Sequence, residues 1–159
     1  MRRETSRLSL LLLLSAVGLA SARPVGETLT LSIAAPEVPI RESNLSLEVT
    51  MTNRTAEPMT LFKTNPGCDF TAEVKDANGR AVELTQTGVE LSRCQQRLIV
   101  GRRILVTLKP GESTDESYPI DLYYSLPRPG TYTVQLSREI PSHPKLLSRS
   151  NEVVLTLAN

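Results

Sequence analysis

Leu29, Leu31 and Ile33 alternate with Thr30 and Ser32 in the stretch TLTLSI, and the same two-residue period recurs along most of the chain. Successive side chains of a β-strand point to opposite faces, so each such run predicts a strand with one buried face. NLSLEVTMTN sets Leu45, Leu47, Val49 and Met51 against Ser46, Glu48, Thr50 and Thr52, and it is the best internal strand. APEVPIRES, just before it, carries Pro36 and Pro39, which cannot donate to a ladder and suit an edge or a connection. MTLFK follows as a short strand that ends at Pro66-Gly67. DFTAEVKD points Phe70, Ala72 and Val74 inward, and the Ala77-Asn78-Gly79 turn joins it to RAVEL as a hairpin.

Further on, ILVTL presents Ile104, Val106 and Leu108 and stops at Pro110-Gly111. SYPIDLYYSL presents Tyr118, Ile120 and Leu122 before Pro127 and Pro129 end it, GTYTVQL presents Tyr132, Val134 and Leu136, and NEVVLTLA presents Val153, Leu155 and Leu157. Thr85 to Gln96 is the least patterned stretch, and no window beyond the N-terminal segment shows a 3.6-residue period. The class is all-β. About seven to nine short strands with regular turn signals predict an immunoglobulin-like antiparallel β-sandwich.

The most fully specified strand entry is LPRPGTYTVQLSREI, from Leu126 to Ile140. Its Gly130-x-Tyr132 start fits a tyrosine corner, in which the Tyr near the start of the penultimate strand hydrogen-bonds back to the backbone at the crossover between sheets. The alternative is that Tyr132 is an ordinary strand aromatic.

The N-terminal segment has a different pattern. MRRETSR places three arginines ahead of the apolar run LSLLLLLSAVGLA, and Ala20-Ser21-Ala22 supplies the small-x-small cleavage pattern. The reading is a signal peptide over residues 1–22 and a single sandwich domain over 23–159. The apolar run falls short of the roughly 20 residues that span a bilayer, which leaves an uncleaved anchor as the alternative. No cysteine stands near the cleavage site to carry a lipid. A secreted or periplasmic protein with no stable membrane insertion after cleavage is expected.

Charge narrows the partners. The chain holds 18 Lys and Arg against 17 Asp and Glu, and loss of Arg2, Arg3, Arg7 and Glu4 leaves the remainder close to neutral. Binding to nucleic acid would call for a basic face, so none is expected. The two cysteines, Cys68 and Cys94, both lie in the exported part, where a disulfide forms and persists. It would close a loop of about 25 residues and add roughly 3 kcal/mol in the chain-entropy model. Two unpaired thiols or a metal site compete with that reading. With one histidine and no Cys-x-x-Cys pair, however, zinc has too few ligands.

Two stretches carry a resemblance. PGES with YPIDLYYSLPRPGTYTVQLSR and the closing SNEVVLTL resembles the immunoglobulin-like sandwich modules of exported bacterial proteins, including the accessory domain that precedes some secreted metalloproteases. NPGCDFTAEVKDANGRAVEL with KPGES and PGTYTV is similar to the small β-sandwich family named for a Bacillus intracellular proteinase inhibitor. Together they cover residues 45 to 157 loosely and imply a sandwich that binds or spaces rather than catalyses. The export signal and the cysteine pair depart from the inhibitor pattern, and no functional residue carries over.

Chemistry is sparse. A hydrolytic triad needs an imidazole, and His143, between Pro141 and Pro144 in PSHPKLL, reads as a bystander on a stiff exposed connection. Asp115 with Glu116 and Asp69 with Glu73 read as solvated strand faces and turns rather than as an acid-base pair. DANGR offers too few oxygens for a calcium loop, there is no phosphate loop, and no cofactor is indicated. The absence of Trp lowers the case for a sugar-binding face. Tyr123 and Tyr124 are candidate contact residues, because strict alternation would turn one of them outward; an unremarkable rim position is the alternative. Asn44-Leu45-Ser46 and Asn53-Arg54-Thr55 match the N-glycosylation acceptor, and the bacterial resemblance implies that they stay unmodified. The expectation is a non-catalytic binding or accessory module for an unknown protein partner. The alternative is a protease inhibitor that presents a loop, either Thr85 to Gln96 or SHPKLL.

Overall fold

The computed structural model describes residues 29–36, 44–94, 103–140 and 143–159. The expected signal peptide and its cleavage site lie outside these residues, as does the side chain of His143. The strands are β1 (Leu29–Ala34), β2 (Ser46–Asn53), β3 (Met59–Lys63), β4 (Thr71–Asp76), β5 (Ile104–Leu108), β6 (Ser113–Pro119), β7 (Gly130–Ile140) and β8 (His143–Leu157). Three short helices, α1 (Pro66–Asp69), α2 (Gln86–Ser92) and α3 (Ile120–Tyr123), stand among them. Every strand pairing is antiparallel, in three sheets ordered β1-β2-β6, β3-β5 and β4-β7-β8. This is the expected all-β sandwich.

Period-two patterning does most of the positioning. Leu29, Leu31 and Ile33 of β1, Leu47, Val49 and Met51 of β2, Val74 of β4, Tyr132, Val134 and Leu136 of β7 and Leu155 and Leu157 of β8 are all buried in one continuous core. At about 25 cal/mol per Å² of apolar surface, that shared core is the main stabilising contribution. One edge of the sandwich closes through side chains. Ile33 N donates to Asn151 Oδ1 at 2.9 Å and Asn151 Nδ2 donates to the Ile33 carbonyl at 3.0 Å, while Ser148 Oγ donates to the Leu29 carbonyl at 2.6 Å. A register shift between Gln135 and Ser137 leaves Leu136 N without its ladder partner, and Ser150 Oγ accepts from it at 2.9 Å. A bulge bends the strand that carries it, and here it turns Asn151 toward β1.

The β3–β5 ribbon is held by polar groups at both ends. At one end Asn53, fully buried, donates from Nδ2 to the Glu57 and Leu108 carbonyls at 2.8 and 2.9 Å and accepts from Thr55 N and Oγ1 at Oδ1. This glycosylation triplet is therefore a structural hub. At the other end Arg138, 3 % exposed on the inward face of β7, donates from Nη2 to the Phe62 carbonyl and lies 5.0 Å from the centre of the Phe70 ring. Lys63 Nζ donates to the Asp115 carbonyl at 2.8 Å, and Glu116 Oε2 lies 3.9 Å from both Lys63 Nζ and Arg138 Nη1. That oxygen is buried and accepts no hydrogen bond.

Five expectations change. Ile104 was expected to face inward but is exposed, at the end of the β3–β5 ribbon where it pairs with Lys63. RAVEL shrinks to isolated bridges, Lys75 with Ala81 and Leu84 with Tyr124. The alternation expected through SYPIDLYYSL stops at Pro119, where a helical turn buries Ile120 and Tyr123 and exposes Leu122. Thr85 to Gln96, expected to lack regular structure, contains α2. From His143 onward the backbone is strand rather than a connection.

The Gly130-x-Tyr132 entry has the geometry of a corner: Tyr132 Oη donates to the Pro127 carbonyl at 2.5 Å. A Cβ on Gly130 would lie 2.7 Å from that carbonyl, which explains the glycine. Tyr132→Phe keeps the packing and removes the bond, so it should lower unfolding free energy by about 1 kcal/mol in urea melts; a loss near zero would count against a structural corner.

Glu116 sets a pH dependence. Burial raises its pKa above the ordinary 4.5, outweighing the attraction of Lys63 and Arg138, with Asp69 adding to the rise. The folded chain then keeps this proton to higher pH than the unfolded chain does, so within that window it binds more protons and stability falls as pH rises. Glu116→Gln should flatten the fall in urea midpoint that the parent shows on going up from about pH 4.5. An unchanged slope would mean that another group produces it.

Candidate functional site

The segments that depart from period-two patterning gather at one place. Asn65 caps α1, accepting from Gly67 N at 2.9 Å, and Pro66 occupies the first turn, where a missing N–H costs nothing. Asp69 closes the same turn by accepting from Thr64 N and Oγ1, each at 2.6 Å. Thr85 caps α2 by accepting from Gly88 N at 3.1 Å, and its own hydroxyl donates to the Leu122 carbonyl of α3 at 2.6 Å. Each helix is too short to persist alone, so docking must hold it in place.

Four contacts supply that docking. Cys68 of α1 and Cys94, just past α2, form a disulfide with Cα atoms 5.5 Å apart. Tyr123 Oη donates to Asn65 Oδ1 at 3.1 Å, and Tyr124 Oη donates to the Ala72 carbonyl at 2.8 Å. Gly88 packs directly on α3, where a Cβ would lie 2.1 Å from the Tyr123 carbonyl oxygen.

Between α1, α2 and the start of β4 these contacts leave a depression of about 240 Å³. Phe70, Tyr118, Tyr123 and Tyr124 line it, with Leu91 on the α2 side and the disulfide as part of its wall. Its rings form a ladder: Phe70 meets Tyr118 edge-on at 6.2 Å, and Tyr118 meets Tyr123 at 5.1 Å. Burial raises the pKa of all three tyrosines, most strongly for Tyr118, so their hydroxyls stay neutral. Among the described residues, no Asp, Glu, Lys, Arg or His lines it. The site can therefore offer rings and hydroxyls, and among the described residues its lining has no group able to shuttle a proton near neutral pH.

Sequence reasoning reached part of this. Cys68 and Cys94 meet here, and Tyr123 and Tyr124 both line the depression, Tyr123 buried and Tyr124 half-buried rather than turned out to solvent. Tyr132 and Gly130 stand apart at the corner that begins β7. Asp69 and Glu73 are not brought together: Asp69 closes α1, and exposed Glu73 pairs with Lys75 at 2.5 Å. Asp115 accepts from Thr50 Oγ1 at 2.7 Å, whereas its neighbour Glu116 belongs to the buried cluster. Phe70, Tyr118, Gly88 and Leu91 were missed as site residues. A signal existed, since Gly88 and Leu91 follow Thr85, a threonine able to cap, at helical spacing, with Leu84 just before it. Among the described residues no group of three or more His, Cys, Asp or Glu could hold a metal ion, and no helix is long and apolar enough to cross a membrane.

No protein-family model and no curated protein matches the chain. Among solved structures it is similar to a β-glucuronidase of Bacteroides uniformis, with a TM-score of 0.39 and 16% identity over 80% of this chain and 13% of that one. It is also similar to Bacteroides uniformis β-glucuronidase 2 covalently bound to cyclophellitol-6-carboxylate aziridine, with a TM-score of 0.37 and 15% identity over 82% and 13% of the two chains. The chain spans only about an eighth of those enzymes, and a likeness this weak says nothing of its activity.

Gly88→Ala should push α2 off Tyr123 and cost about 1–3 kcal/mol in urea unfolding. Val89→Ala, on the exposed side of the same helix, should stay within about 0.5 kcal/mol. Equal effects would mean that the close approach at Gly88 does not set the docking.

Proposed function

We propose that this chain is an exported, secreted or periplasmic, non-catalytic binding module that meets a protein partner through the depression between α1, α2 and α3. The observation that carries the reading is a concave, uncharged, ring-lined surface held in place by a disulfide, two tyrosine hydroxyl bonds and a helix docked on glycine. Partner sites are enriched in tyrosine and depleted in charge at their centres, and a surface already in shape loses little entropy on binding. The disulfide fits an oxidising compartment. The resemblance to accessory sandwich modules points the same way at the level of fold alone. An inhibitory loop over Thr85 to Gln96 has less behind it, because Gln86 to Ser92 are helical and docked.

The test places a photo-crosslinker at Ser92, exposed on the rim, or at Val154, exposed on β8, in the full chain, and exposes each to the culture supernatant and cell extract of the source organism. A discrete adduct from Ser92 and none from Val154 is expected. Equal labelling from both positions, or hydrolysis of ester, peptide or glycoside substrates by the purified protein, would overturn the reading.

A further inference from the structure

Size, charge and ring geometry together restrict what the depression can accept. A cavity of about 150 Å³ holds a benzene, and sites for drug-sized ligands start at about 300 Å³. At about 240 Å³ this one suits a single ring with its first methylene or hydroxyl. A charged group placed there would lose its hydration without meeting an opposite charge, since no ionic side chain among the described residues lines the wall. The existing edge-on contacts of Phe70, Tyr118 and Tyr123 at 6.2 and 5.1 Å fall in the range favoured by aromatic pairs. All three rings also line the depression, so an entering ring would extend the ladder.

We propose that the depression is a pocket for one uncharged aromatic side chain, Phe or Tyr, presented by the protein partner. This rests on the binding-module reading and names the group that anchors it. Buried aromatic anchors in small pockets carry much of the energy of protein interfaces, and the neighbouring contacts serve mainly to exclude water.

The protein's own composition supplies the probe. It has four tyrosines and no tryptophan; Tyr118, Tyr123 and Tyr124 line the depression and Tyr132 does not. Ring-labelled tyrosine in the full chain therefore gives three reporters and an internal control by NMR. N-acetyl-phenylalaninamide should move the Tyr123 and Tyr124 signals saturably at millimolar concentration and leave Tyr132 in place. The leucine analogue should bind about 2- to 10-fold more weakly, the difference expected for one aromatic contact. A phenylalanine analogue carrying a ring carboxylate should not bind.

Ser92→Trp and Thr71→Trp, at two exposed lining positions on different elements, should each abolish the shifts with the Tyr132 signal kept. The proposal is overturned if no saturable shift appears, if the leucine or carboxylated probe binds as well, if Tyr132 moves with the others, or if both substitutions leave binding intact. Failure of these probes with the Ser92 adduct still formed would remove the aromatic anchor and leave the binding module standing. Loss of the adduct as well would remove both.

Discussion

Arg138 occupies a position where β7 would otherwise carry a hydrophobic side chain, and its guanidinium ties one end of the β3–β5 ribbon to the rest of the molecule. The residues two before and two after it, Leu136 and Ile140, are both buried, so the strand's period commits Arg138 to the interior. A buried cation is tolerated only when paired and hydrogen-bonded. Here the Phe62 carbonyl, the Met51 sulfur at 3.2 Å, the face of Phe70 and the Glu116 carboxyl surround it. Lys63 approaches the same carboxyl from β3, so three strands from three sheets meet at one set of charges. Among the described residues β3 and β5 hydrogen-bond as strands only with each other, which makes this cluster and Asn53 the polar ties between ribbon and sandwich. The balance within the cluster is fine: burial pushes Glu116 toward its neutral form and lowers the pKa of Arg138, while each charge favours the other. Such pairs contribute little net stability when complete, yet losing one partner costs several kcal/mol, which suits them to fixing geometry.

What the sequence revealed follows from how each feature is encoded. Inward faces of β1, β2 and β7 were legible because burial on one side of a sheet imposes alternation on single residues, with no knowledge of partners. The turns at Pro66-Gly67 and Pro110-Gly111 were legible because their chemistry is local. Arg138 continues the alternation of Tyr132, Val134 and Leu136 but reads as a surface residue, since its burial depends on Phe70, Phe62 and Glu116 arriving from distant segments. The same reason hid the turn over Ile120 to Tyr123. Its alternating pattern was compatible with a strand, and tertiary bonds decided otherwise: Ile120 N donates to the Leu45 carbonyl and Asp121 accepts from Leu45 N. Helix α2 is seven residues long, too short for periodicity to stand out, although Thr85, Gly88 and Leu91 marked it.

The candidate site inherits its order from these two levels. Its outer wall is covalent: a disulfide across 26 residues stabilises by roughly 3 kcal/mol in the chain-entropy model and ties two helices that could not persist alone. Its floor is aromatic and leads inward, from Tyr123 through Tyr118 and Phe70 to the guanidinium of Arg138. Each ring is fixed by the next, so the floor is as well placed as the buried cluster that ends the series.

That arrangement also explains how charged and uncharged chemistry coexist so close together. Glu116, Arg138 and Lys63 need low solvent access for their mutual attraction to matter, because in water it would be worth only about 1 kcal/mol per pair at contact distance. Phe70 supplies part of that cover while offering its face to the cation, an interaction that strengthens as water is removed. Tyr118, pressed against Phe70 and 2 % exposed, carries the cover out to the depression. A ring stack that shields charges on one side must present neutral surface on the other. An uncharged pocket beside a buried ionic cluster is then the expected consequence of packing aromatics against an arginine that the strand's period holds inside.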